Sequence, residues 1–179
     1  MTIDCFPNEN FTIDDVLNTN VPLKDKAWFI LHNCDFTNDE LKCFAFNCAS
    51  IVLPIYEKSN KNINTPRKCL EITQAYLNNS VSITELTEAQ KNVDDIINAY
   101  YSTYNVYNAV NASANKSAIY TIGYAIYSIC KTDEYKYVDT HLTTITAYAA
   151  ANAALAISYH TNEYYNSLLQ FFKDFTNSK

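Results

Sequence analysis

The sequence predicts an all-α fold, a compact orthogonal or up-and-down bundle of six or seven helices, on three observations. Only one Gly and four Pro occur in 179 residues, too few sharp-turn residues for a sandwich or an α/β fold. Apolar residues recur at three- and four-residue steps through most of the chain. Capping signals stand in front of several of these runs. The length is that of one ordinary domain, so residues 1–179 read as a single helical domain, with 1–23 an N-terminal arm or short helix.

Taken in order, Thr12 with Asp15 predicts a short first helix over 13–18, interrupted by Pro22. Residues 24–33 follow, with Ala27, Trp28, Ile30 and Leu31 expected inward. Thr37 and Glu40 form the clearest capping box and open a helix whose stripe is Leu41, Phe44, Ala45, Cys48, Val52 and Ile55; Pro54 is expected to kink its last turn. Thr65 reads as the next N-cap, with Pro66 at the first helical position of a helix reaching Leu77.

The longest helix is expected from Glu85 to Asn111, with Val93, Ile97, Tyr100, Tyr104 and Tyr107 on one face. Residues 114–130 repeat small and β-branched residues around Gly123, the only glycine, which predicts a close helix crossing. Residues 141–160, "HLTTITAYAAANAALAISYH", contain no charged side chain apart from the terminal histidines. Their apolar content is mostly alanine, which gains little from lipid and much from close helix contact, so a central helix is expected rather than a membrane span. Asn162 caps a final helix, with Tyr165, Leu168, Leu169 and Phe172 inward. The segments near 86–111, 115–130 and 141–160 are expected at the center.

Nineteen acidic residues against thirteen basic ones give a net charge of −6. A field of that sign disfavors nucleic acid and anionic membrane surfaces and favors a basic protein partner. "MTIDCFPNEN" has no basic segment followed by an apolar run, so a cytoplasmic location and six reduced cysteines are expected.

Chemistry-bearing residues form no strong constellation. Cys43 and Cys48 are five apart on one expected helix and point about 140° away from each other, so they cannot share one ion. "DEYKYVDTH" gathers Asp133, Glu134, Asp139 and His141 without a metal-ligand spacing such as H-E-x-x-H. No phosphate loop, nucleophile elbow or carboxylate pair can be assigned, so no catalysis, metal or cofactor is expected. Arg67, the only arginine, can clamp one carboxylate in a fork, either within the chain or on a partner or ligand. Candidate binding residues are therefore Arg67, His141, Asp35, Asp139, Tyr148 and Tyr104. A second possibility is capture of a small anionic, nucleotide-like ligand between helices, with Tyr100, Tyr104, Tyr107 and Tyr148 stacking and Arg67 and His141 meeting its charge.

The stretch "CDFTNDELKCFAFNCASIVLPIYEKSNKNINTPRKCLEI" resembles the Ala-rich, all-helical Imm5-like immunity proteins of bacterial polymorphic-toxin systems. The resemblance rests on Cys34 and Asp35, on Asn47, Cys48 and Ala49, on Val52, Leu53 and Pro54, and on Thr65, Pro66 and Arg67. "THLTTITAYAAANAAL" is similar to that family's histidine-containing helix, with His141 and Tyr148 at matched positions. Asn47 and Thr65 depart from it, standing where an acidic residue and an arginine are usual, so a charged pair of the relatives is absent. The resemblance implies a non-enzymatic protein that binds and neutralises a cognate toxin, which the acidity of this chain suggests is basic.

Overall fold

The computed structural model describes residues 12–102, 109–134, 139–158 and 162–177, which form helices with no strand among them. In chain order these are α1 (Ile13–Asn18), α2 (Leu23–Asn33), α3 (Asn38–Ser59), α4 (Thr65–Leu77), α5 (Ile83–Ser102), α6 (Ala109–Glu134), α7 (Asp139–Ser158) and α8 (Asn162–Asn177). The all-α class stands, with eight helices among the described residues because the short α1 closes as a helix of its own.

Helix starts follow local chemistry. The Thr12 N–H donates to Asp15 Oδ2 at 2.7 Å, and the Thr37 N–H to Glu40 Oε2 at 2.7 Å, each within a complete capping box. A third box lies at the start of α5, where the Ser82 N–H and hydroxyl both donate to Glu85 Oε2 and the Glu85 N–H returns to Ser82 Oγ. α5 therefore begins at Ile83, ahead of the expected Glu85, and the Ser-x-x-Glu signal was present in the sequence. α4 begins one residue early, with Asn64 at its N-cap. α3 runs through Pro54 to Ser59 as one helix.

The expected helix over 85–111 is two elements, since residues 109–111 belong to α6. The two pack face to face. A Cβ at Gly123 in α6 would lie 2.7 Å from Ile97 Cδ1 and 3.5 Å from Val93 Cγ1 of α5, so the close crossing expected at this glycine is present.

The center differs from expectation. α6 makes its broadest contacts with α3 and α7, and α3 also packs on α7, so these three helices form the middle. α5 lies against α4 and α6 on one flank, with Glu85, Glu88, Lys91 and Asp95 outward. It has one apolar face, whereas α3 buries Leu41, Phe44, Ala45, Cys48, Val52, Ile55 and Tyr56. One contiguous apolar cluster runs from Leu17 to Phe172. Phe44 joins α8 to α3 through contacts with Phe171, Phe172 and Phe175.

α7 buries Ala149, Ala150, Ala153, Ala154 and Ala156 against its neighbors. No described helix is long and apolar enough to cross a membrane. Near α1, the buried Lys26 donates from Nζ to the Leu17 carbonyl at 2.7 Å, satisfying an acceptor in the last turn of α1 that has no partner in its own helix.

Candidate functional site

Among the described residues, two clefts hold sequence-predicted residues. The first lies between α2 and α7. On α2 the positions 23, 26, 27, 30 and 31 face inward, which turns the series Lys24, Trp28 and His32 outward. Trp28, expected in the core, is instead 51% exposed. Four residues on, His32 stacks on its indole with ring centroids 4.3 Å apart, and His32 Nδ1 donates to the Trp28 carbonyl at 2.8 Å. The indole is thus held from one side.

On α7 the outward series is Thr144, Tyr148 and Leu155, with Tyr148 57% exposed and its ring 6.1 Å from that of Tyr124 on α6. Between the helices is a cleft of about 290 Å³ whose walls include Asp25, Trp28, His32, Thr144 and Tyr148, with Lys24 also contributing.

The second cleft, about 380 Å³ and more open, lies between α3 and α4 and is lined by Phe46, Ser50, Pro54, Leu70, Arg67 and Glu71, among others. Arg67 sits in the first turn of α4 and meets Glu57 in the last turns of α3. Its Nε donates to Oε1 at 2.7 Å and its Nη2 to Oε2 at 2.6 Å. The carboxylate it clamps is thus one within the chain, and these hydrogen bonds raise the guanidinium pKa further above its ordinary value. Asn47 donates into its own helix, to the Cys43 carbonyl.

Of the predicted binding residues, Tyr148 lines the first cleft and Arg67 the second. Asp35 is exposed in the connection between α2 and α3. Asp139 and His141 fall in the first turn of α7, and their side chains lie outside the described residues, as does all of Tyr104 and Tyr107. Of the tyrosines expected to stack a flat ligand, Tyr100 faces Tyr56 and donates to Asn60 Oδ1, and Tyr148 faces Tyr124. Sequence reasoning missed Asp25, Trp28 and His32. The signal for the last two was the Trp-x-x-x-His spacing, which places both on one helix face. Tyr165 is likewise more exposed than expected.

Three of the described thiols are poor nucleophiles. Burial pushes Cys48 well up and Cys69 to about 11, and Cys43 is raised by burial and then by Asp39, so all three are protonated at neutral pH. Cys43 is exposed and Cys48 buried, facing different surroundings as their spacing predicts. No group of three or more potential metal ligands occurs among the described residues.

Residues 38–146 match the family model described as immunity protein Imm5, well over half of the chain. The matched region spans α3 to α6 and the start of α7; it contains the whole α3–α4 cleft and leaves α2, Tyr148 and α8 outside. No curated protein and no solved structure matches the chain.

Proposed function

The chain belongs to the Imm5 family of immunity proteins, and on that premise we propose that it acts by binding a cognate protein toxin and blocking it, with no chemistry of its own. Family membership carries this reading. Two physical features support it. A net charge of −6 steers a basic partner toward the chain and speeds encounter. Exposed aromatic side chains on rigid helices, above all Trp28 and Tyr148, are the kind of anchor that dominates protein interfaces.

The test is capture of the partner on the full chain from its native host, followed by reconstitution. The retained protein is expected to arrest growth when expressed alone, and coexpression of this chain is expected to restore growth through a stoichiometric complex. Failure to recover any protein partner reproducibly, or a retained toxin whose activity is undiminished by excess chain, would overturn the reading.

A further inference from the structure

The α2–α7 cleft combines three properties. Its aromatic walls, Trp28 and Tyr148, are the two most exposed large apolar residues described, at 51% and 57%. A carboxylate, Asp25, stands on the same wall. His32, itself fixed by its hydrogen bond to the Trp28 carbonyl, stacks on the indole and covers one side of it, which reduces the side-chain freedom to be lost on binding.

An aromatic face carries negative electrostatic potential and attracts a cation placed within about 6 Å of its center, tryptophan most strongly. Two aromatic side chains lining one cleft with a carboxylate suit a long basic side chain, whose aliphatic stem covers the rings while its charged head meets the acid. Size agrees: about 290 Å³ lies just below the range of about 300–1,000 Å³ typical of small-molecule pockets and suits a single anchoring side chain. A second copy of the chain is disfavored as occupant, since each copy carries −6.

We infer that this cleft receives an arginine or lysine side chain of the cognate toxin, with Trp28 and Tyr148 as its aromatic walls and Asp25 as its counter-charge. The inference rests on the toxin-binding reading above and names the surface that performs it. Lys24 is the unfavorable charge in this arrangement; it is exposed, and its stem lets the ammonium turn toward water.

The experiment measures binding of the toxin captured in the reconstitution above to the full chain and four variants, with circular dichroism and melting as controls for folding. Trp28→Ala and Tyr148→Ala are each expected to weaken binding about 30-fold or more, the range of interface hot spots. Asp25→Asn is expected to weaken it severalfold, and Lys24→Glu to tighten it, an effect that shrinks as salt rises. If the wild-type chain binds no toxin, the functional reading fails and this inference with it. If the wild type binds and the two aromatic variants bind equally well, the inference alone is overturned. Weaker binding by Lys24→Glu together with tighter binding by Asp25→Asn would assign the cleft to an anionic group and overturn it. So would a wild-type dimer in sedimentation that Trp28→Ala converts to monomer.

Discussion

Arg67 and Glu57 form a two-pronged ion pair, with guanidinium nitrogens 2.7 and 2.6 Å from the two carboxylate oxygens. The pair joins the start of α4 to the end of α3 across the loop between them. Both partners reach solvent, with 51% of the Arg67 side chain and 27% of that of Glu57 exposed, so water and salt screen the attraction. Lysine cannot reproduce the fork. Arg67→Lys is expected to lower the melting temperature slightly in dilute buffer, and the difference is expected to shrink near 1 M salt, where charges are screened over about 3 Å. Thermal melts at two salt concentrations check this.

Lys26 offers a pH signature. It is 2% exposed, and burial, followed by repulsion from Lys173, moves its pKa below the ordinary 10.5. The unfolded chain then binds the proton more tightly than the folded one, so this site favors folding increasingly as pH rises from the lowered value toward 10.5. Below that window the cost of a buried cation is fully present. The stability of wild type relative to Lys26→Met is therefore expected to rise with pH across the window, as read from denaturant unfolding at a series of alkaline pH values.

The Ser82–Glu85 box should be visible from the acid side. Hydrogen bonds from the Ser82 N–H and then from its hydroxyl hold the Glu85 carboxyl below its ordinary 4.5. Its contribution is present above 4.5 and fades as pH falls through the lowered value. Ser82→Ala is expected to cost about 1 kcal/mol at neutral pH, the usual value of an N-cap. The advantage of wild type over Glu85→Gln should shrink on acidification. Chemical denaturation at neutral and acid pH tests both statements.

At Gly123 two effects of similar size oppose each other. Alanine gains about 1 kcal/mol of helix propensity over glycine. Its Cβ would stand 2.7 Å from Ile97 Cδ1, so that half-buried side chain must shift, at about 0.5–1.5 kcal/mol if forced from its rotamer. Gly123→Ala should therefore stay within about 1 kcal/mol of wild type. Gly123→Leu, whose added carbons extend beyond a Cβ already crowded by Ile97 and Val93, should lose about 1–3 kcal/mol or more. Equilibrium unfolding of the two variants distinguishes a close crossing from an incidental glycine.

Elements with strong local chemistry were legible before the structure. The Thr37–Glu40 box and the stripe from Leu41 to Ile55 define α3, and every residue of that stripe is buried. α2 shows where such reading fails. Judged by residue type, Trp28 belongs inside and Lys26 outside; judged by position, Lys26 shares the inward face with Ala27, Ile30 and Leu31. Lys26 is tolerated there because the Leu17 carbonyl of another helix receives its ammonium, a partner that periodicity cannot reveal. The division of the 85–111 segment between α5 and α6 likewise has no counterpart in the apolar spacing, which continues from Val93 to Tyr107. Tyr148 was singled out in sequence. The cleft it shares with Trp28 was not, because concavity between α2 and α7 comes from tertiary placement of segments more than a hundred residues apart.

The alanines of α7 leave this helix open to revision in one direction only. At Ala149, Ala150, Ala153 and Ala156 the inner side is fully covered, and an added carbon there must push against a neighboring helix at about 1–3 kcal/mol. At Thr144, Tyr148 and Leu155 the side chains meet solvent, and their replacement leaves that packing untouched. A lineage carrying this scaffold can therefore rewrite what α7 displays, size, aromaticity and charge alike, while what it is built upon stays fixed. Diversity among its descendants should accumulate on that outer row and be purged from the inner one.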